Sequence, residues 1–168
     1  ISNLTGIDML ITIGGASVGD YDLIKTVLVG EGLDIAFSKV AMRPGKPLIF
    51  GKINNTPMLG LPGNPVSAGV TATLFLVPTI NKMLGLSNTF YKTETAVLGC
   101  DIDKNDERQD YLRARLENTG MKESIVTPFD RQDSSMLANY ADADCLIVRK
   151  PFAASLSRGK KVKIIRLD

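Results

Sequence analysis

Two glycine-rich corners carry the residues best suited to bind an oxyanion. The first contains Gly14, Gly15, Ser17 and Gly19, and the second covers residues 61–68. Each corner follows an apolar, strand-like run and precedes a helix-like run, so it should present backbone N–H groups and the positive end of a helix dipole. The pattern predicts a site for a phosphate-bearing ligand, a small tetrahedral oxyanion, or both.

A cationic hairpin lies between the two corners in the sequence. Lys39, Arg43 and Lys46 surround a Pro-Gly turn, and Lys25 lies on the first predicted helix. Lysine offers phosphate a compact point charge, and arginine offers oxyanions a planar fork. An ordinary solvated turn is the alternative, and it loses weight because the turn lies between two corners that suit anions.

Two carboxylates accompany the first corner. Asp20 and Asp22 flank the predicted start of the first helix, where either could serve only as an N-cap or first-turn acid. Because a carboxylate beside an anion would repel it, the pair also suggests a Mg²⁺ ion between acid and oxyanion. The residues alone leave both interpretations open.

The second corner is stiffened by proline. Pro62 and Pro65 bracket Gly63 and Asn64, which reduces the entropy that the loop would lose on binding. Asn64 is predicted to cap a helix that has Pro65 at its first position. We expect Asn64 and Ser67 to offer side chains and free N–H groups to a ligand, and a plain helix cap is the alternative.

Composition narrows the function further. A net charge of +2 over 168 residues gives no reason to expect nucleic acid or a membrane surface as partner, and no apolar run reaches the length of a membrane span. The absence of histidine removes Ser-His-Asp triads, Cys-His dyads and histidine-ligated zinc. Cys100 and Cys145 lie in strand-like segments and are expected to be reduced, intracellular core residues.

The distribution of charge predicts two domains. Residues 1–90 hold 11 charged side chains and residues 91–168 hold 27, so the first part should be sheet-cored and the second small and well solvated. The fold class is therefore an α/β domain at residues 1–88 followed by a small all-β, barrel-like domain at residues 89–168. The opening residues read as the tail of a helix without an initiating Met, which suggests a piece of a longer protein.

Periodicity and turn residues place the individual elements. Strands are predicted in the first part at residues 8–13, 34–42, 47–53 and 57–61, and helices at residues 21–28 and 64–83, with a kink near Pro78. The strand at residues 8–13 is predicted to be a buried, parallel strand. Strands are predicted in the second part at residues 91–98, 110–117, 124–128, 144–149 and 161–166, with a short helix at residues 135–141.

Three motifs closely resemble one enzyme family. They are residues 14–25, 39–47 and 61–67, and the resemblance extends into the second part at residues 111–115, 132–137 and 159–163. The family is that of the MoeA-type molybdopterin molybdotransferases, the molybdenum insertases, with the gephyrin E domain as animal relative. The resemblance covers nearly the whole chain in order and spacing.

The resemblance implies insertion of molybdate into adenylylated molybdopterin (molybdopterin-AMP), with release of AMP and a need for Mg²⁺. Asp22 matches the family's essential acid and Asp20 a neighbouring one, both implied to bind the metal, while Lys39 and Arg43 match cations that line the pocket. Catalytic roles therefore fall to Asp22, Lys39 and Arg43. Residues implied to hold the cofactor substrate are Gly14, Gly15, Ser17, Gly19, Lys25, Lys46, Pro62, Gly63, Asn64, Pro65 and Ser67.

The resemblance also implies a wider context. It implies a cytoplasmic homodimer, a MogA-like adenylyltransferase as a possible partner, and a MogA-like α/β domain that lacks its first strands here. Two N-terminal domains of the family are absent, so this chain alone is predicted to be inactive. The alternatives are a MogA-like molybdopterin adenylyltransferase, against which the second domain argues, and a gephyrin-like scaffold module.

Overall fold

The computed structural model describes residues 6–14, 23–87, 89–117 and 123–167, and the first part of the chain builds a four-stranded sheet. The elements of this first part of the chain, up to the second glycine corner, are β1 (Leu10–Ile13), α1 (Leu23–Gly30), β2 (Leu33–Phe37), β3 (Met42–Arg43), β4 (Ile49–Ile53) and β5 (Thr56–Leu61). Two asparagines with positive φ, Asn54 and Asn55, form the tight turn between β4 and β5.

The first sheet has the strand order β1-β5-β4-β2. Strand β1 runs parallel to β5, whereas β4 is antiparallel to both of its neighbours. The predicted strand at residues 8–13 is confirmed in place, but its predicted burial is wrong for one face, because Ile11 and Ile13 are 40% and 68% exposed. Strand β2 ends at Phe37 after a bulge, which is earlier than the prediction of residue 42.

The predicted long helix is present, and it changes character midway. It consists of α2 (Pro65–Thr71), a π-helical turn (Ala72–Leu76) and α3 (Val77–Met83). Pro78 has no N–H to donate to the preceding turn, and the π-helical turn lies directly before it. None of the helices in the described ranges has the length and apolar character needed to cross a membrane.

The second part of the chain forms a closed barrel of five strands. Its elements are β6 (Glu94–Leu98), β7 (Gln109–Glu117), β8 (Ile125–Pro128), α4 (Leu137–Ala141), β9 (Cys145–Arg149) and β10 (Lys161–Arg166). The strand order is β7-β8-β6-β10-β9, and β9 also pairs with β7. All five strands predicted for this part are confirmed.

Small apolar side chains fill the barrel. Cys145 is fully buried among them and Cys100 is half-buried, and both thiols are free, as predicted. The buried cluster consists of Ala96, Leu98, Ala114, Val126, Cys145, Ile147, Val162 and Ile164.

The two parts of the chain share a strand pairing and a core. Strand β3 pairs in parallel with β7, so that Arg43 lies opposite Asp110. A second buried cluster joins Val66 and Val70 of α2 to Tyr111 of β7. The domain division at residue 88 stays a prediction, and residues 42–43 of the first part belong to the second sheet.

Candidate functional site

The two glycine corners meet at the ends of neighbouring strands. The parallel strands β1 and β5 end at the same edge of the sheet, where the Gly14 N–H donates to the Leu61 carbonyl at 3.0 Å. A Cβ on Gly63 would lie only 3.2 Å from the Gly14 Cα, and Gly14 has φ +86°. Glycine is favoured at both positions, because the two backbones pack closely and Gly14 has a left-handed conformation.

Much of the first corner lies outside the described residues. Helix α1 begins at Leu23, and the side chain of Lys25 on this helix is likewise not described. The proposed roles of these residues stay predictions. The residues concerned are Gly15, Ser17, Gly19, Asp20 and Asp22.

Asn64, the residue that precedes α2, caps the start of this helix. The Asn64 side-chain oxygen accepts hydrogen bonds from the N–H groups of Val66 and Ser67, at 3.1 and 3.3 Å. The Ala68 N–H donates to the Asn64 carbonyl at 2.8 Å, and Pro65 has no N–H. The prediction of a free N–H group is therefore wrong for Ser67, because its N–H donates to the Asn64 cap.

The side chains of the second corner differ in exposure. Pro62 is buried, whereas Gly63 and Pro65 are exposed, and Asn64 is half-buried. Ser67 is 7% exposed and faces a cleft beside the hairpin. Contact of Pro62, Gly63, Asn64 and Pro65 with a ligand stays a prediction.

A cleft of about 390 Å³ lies where the hairpin after β3 meets the barrel. Helix α2 contributes one wall, the hairpin a second, and two loops of the barrel the third. This volume lies in the range of 300–1,000 Å³ typical of small-molecule sites. The lining residues are Met42, Arg43, Pro44, Gly45, Lys46, Pro47, Ser67, Arg108, Gln132, Asp133 and Ser134.

The predicted cations of the hairpin have different environments. Lys46 lines the cleft, is exposed, and makes no ion pair with any described residue. Lys39 is exposed and does not line the cleft. Arg43 lines the cleft, but its guanidinium is engaged by carboxylates of the barrel.

The pairing of Arg43 crosses between the two parts. Its Nη1 donates to Asp106 at 2.8 Å, and its Nη2 donates to the Asp110 carboxylate. The hydrogen bond to Asp110 raises the pKa of Arg43, while hydrogen bonds from the Arg108 N–H and guanidinium lower the pKa of Asp106. Arg43 is predicted to neutralise an anion, but two carboxylates already balance the charge of its guanidinium.

The barrel supplies cleft residues that the sequence reasoning did not assign. Gln132 holds β7 through both of its amide atoms: its Oε1 accepts from the Arg113 N–H and its Nε2 donates to the Arg113 carbonyl, each at 2.9 Å. Ser134 lines the cleft beside Asp133. Residues 132–137 belong to the family resemblance, which was the sequence signal available for Gln132 and Ser134.

Arg113 is the largest fully buried side chain of the barrel. It is 1% exposed, and its Nη2 donates to the Asp133 carbonyl at 3.1 Å, while its Nε has no hydrogen-bond partner in the described part of the chain. Burial lowers the pKa of Arg113. A buried guanidinium with spare donors behind the cleft wall is suited to attract negative charge.

Two known families match successive parts of the chain. The family described as "Probable molybdopterin binding domain" matches residues 1–82, and "MoeA C-terminal region (domain IV)" matches residues 95–167.

Two curated relatives of this chain share one name. The Molybdopterin molybdenumtransferase of Haemophilus influenzae is 34% identical over 158 residues, which cover 94% of this chain and 39% of that protein. That of Bacillus subtilis is 32% identical over 159 residues, which cover 95% of this chain and 37% of that protein. The chain thus spans less than two fifths of the length of these relatives.

A solved structure agrees in fold. The molybdopterin biosynthesis MoeA protein from Pyrococcus horikosii superposes with a TM-score of 0.77 at 27% identity, covering 96% of this chain and 37% of that chain. The two family matches follow each other along the sequence and leave few residues unmatched. The chain therefore belongs to the MoeA family of molybdopterin molybdotransferases.

Proposed function

We propose that this chain contributes an oxyanion-binding cleft to a molybdenum insertase, which transfers molybdate to adenylylated molybdopterin and releases AMP. The observation that carries the proposal is the cleft between the hairpin and the barrel, which is lined by Lys46, a cation with no ion pair to described residues, and by the hydroxyl groups of Ser67 and Ser134. Family membership supports the choice of molybdate and molybdopterin as substrates.

Lys46 is the residue that we expect to contact the anion. It is exposed, lines the cleft and makes no ion pair with described residues. The hydroxyl groups of Ser67 and Ser134 line the same cleft and could donate hydrogen bonds to a tetrahedral oxyanion. Arg113 adds positive charge behind this wall.

The glycine corners would hold the pterin phosphate. Gly14 and Gly63 leave the backbone bare at the end of the first sheet, so a phosphate could approach without meeting a Cβ. Because the N–H groups at the start of α2 are capped by Asn64, the N–H groups available to a phosphate would come from the first corner. Gly15, Ser17 and Gly19 are proposed for this role.

We propose Asp20 and Asp22 as ligands of Mg²⁺, and we propose no other ligand. The described residues contain no group of three or more His, Cys, Asp or Glu side chains that could hold a metal ion. A divalent cation bound to carboxylates would offset phosphate charge. Asp22 is also proposed as the essential acid, with Lys39 as an outer cation of the pocket.

The wider setting is part of the same proposal. A homodimer, a cytoplasmic location and cooperation with a MogA-like adenylyltransferase are supported by the family resemblance. The match of residues 95–167 to the MoeA C-terminal region favours an insertase over a MogA-like adenylyltransferase.

The test is calorimetric titration of this chain with molybdate and with molybdopterin or its adenylylated form, with and without Mg²⁺. Lys46→Ala should weaken molybdate binding, and Lys52→Ala, which removes an exposed lysine on β4, should not. In the full-length protein, Asp22→Asn should abolish molybdate insertion and leave the fold intact. Binding by neither the chain nor the full-length protein would exclude the proposed function.

A further inference from the structure

An ion-pair cluster around Arg43 lies directly beside the cleft. The Arg43 Nη1 donates to Asp106 at 2.8 Å, and its Nη2 donates to the Asp110 carboxylate and, at 3.4 Å, to the Asn105 Oδ1. All three partners belong to the barrel, more than 60 positions away in the sequence. The cluster therefore connects the hairpin of the first part to the second part.

Asp110 depends on Arg43. Its side chain is 7% exposed, and one of its two oxygens is buried without a hydrogen-bond partner in the described ranges. Arg43 donates a hydrogen bond to the other oxygen. Burial lowers the pKa of Arg149, and the nearby charge of Asp110 opposes that shift. A nearly buried carboxylate that loses its cation is strongly destabilised, so the pair should persist.

Backbone pairing also fixes the position of Arg43 beside Asp110. Arg43 and Asp110 are paired in the parallel register of β3 and β7, and the Gln109 N–H donates to the Ala41 carbonyl at 2.9 Å. Further along the hairpin, the Lys46 carbonyl accepts from Val40 and Leu48, each at 3.0 Å. A shift of the hairpin would therefore move Lys46.

We propose that Arg43 is a positioning residue, which Asp110 and Asp106 hold so that the hairpin presents Lys46 to the cleft, and that Arg43 does not itself bind the anion. An anion at the Arg43 guanidinium would face both carboxylates and be repelled by them. This inference rests on the proposed function, because it assigns the anion contact of that site to Lys46.

Asp110→Asn separates this role from that of an anion ligand. If Arg43 binds the anion, the substitution frees its guanidinium, removes a negative charge, and molybdate should bind more tightly. If Arg43 is a positioning residue, the hairpin loosens and molybdate should bind about tenfold more weakly, which corresponds to the loss of one charge-assisted hydrogen bond. The two roles thus predict changes of opposite sign.

The experiment measures molybdate binding by calorimetry and amide hydrogen exchange of the hairpin in the whole chain. Asp110→Asn should speed exchange of the Val40 and Leu48 amides about tenfold and leave the barrel amides unchanged. Arg43→Lys should restore only part of the affinity relative to Arg43→Ala, because one ammonium cannot bridge both carboxylates. Asp106→Asn should act in the same direction, and it serves as the test if Asp110→Asn does not fold.

The matched control is Asp142→Asn. It also removes one negative charge and one arginine partner, in the exposed pair with Arg115 at 2.9 Å, and it should change neither measurement. Tighter molybdate binding in Asp110→Asn would overturn the inference, and so would hairpin exchange equal to that of the control. If the unsubstituted chain binds no molybdate, that result counts against the proposed function, and the hairpin exchange alone decides this inference.

Discussion

Replacing Gly45 with alanine tests how closely the hairpin is seated against α2. Gly45 has φ +111°, and an added Cβ would lie 2.4 Å from the Thr71 Cγ2 and 3.2 Å from the Met42 Cε. Met42 can rotate away, but Thr71 is fully buried and its hydroxyl donates to the Ser67 carbonyl at 2.7 Å. The methyl group of Thr71 is therefore held in place.

The expected cost has two parts. A left-handed backbone costs an alanine about 1–2 kcal/mol, and overpacking a filled interior costs about 1–3 kcal/mol. Gly45→Ala should therefore lower the free energy of unfolding by about 2–5 kcal/mol. Gly159→Ala is the matched control, because Gly159 has φ +82° and nothing within 4 Å of an added Cβ, so only the backbone part applies.

Urea denaturation followed by far-UV circular dichroism gives both free energies. A difference of less than about 0.5 kcal/mol between the two glycine variants would refute the steric argument. A second check uses Thr71→Ser, which removes the opposing methyl and keeps the hydroxyl. In that background Gly45→Ala should cost at least about 1 kcal/mol less.

Three further predictions concern the cap, the buried thiol and the buried phenol. Asn64→Ala should lower the free energy of unfolding by about 1 kcal/mol, and an equal loss in Asn64→Asp would show that the side-chain acceptor is irrelevant. Cys145 is buried and its pKa is raised to about 12, so a thiol reagent should label Cys100 in the folded chain and Cys145 only after unfolding. Burial raises the pKa of Tyr111 to about 12 from 10.0, so its contribution to stability is complete below pH 10 and is lost as the pH rises towards 12. Alkaline melting curves should show this loss, and Tyr111→Phe should remove it.

Local patterns account for most of the fold that could be predicted. Strand β10 alternates between exposed and buried residues over most of its length, and Asn64 with Pro65 marks the start of α2. These signals depend on neighbours within a few positions. The closure of the barrel depends on the pairing of β7 with β9, and β6 pairs with β10 from the far end of this part, so in both cases the partners are distant in the sequence. Such pairings leave no local trace.

The candidate site was predicted less completely, for two physical reasons. Lys46 and Arg43 look equivalent as hairpin cations, and only the fold brings Asp106 and Asp110 to one of them. The N–H groups at the start of α2 suit either an anion or the Asn64 side chain, and the tethered acceptor is always present. Asn64 caps α2 because it is close to that helix start in the sequence. The ion pairs of Arg43 could not be predicted because Asp106 and Asp110 are distant from it in the sequence.

Strand β3 connects the first part of the chain to the second sheet by backbone pairing, in addition to the covalent continuity of the chain. A covalent connection alone permits rotation of one part against the other, and a paired strand restricts that rotation. The shared apolar cluster of Val66, Val70 and Tyr111 opposes that remaining rotation. A polypeptide severed near residue 88 would thus yield two pieces with matching surfaces, which makes the molecule a candidate for reassembly from separately expressed halves.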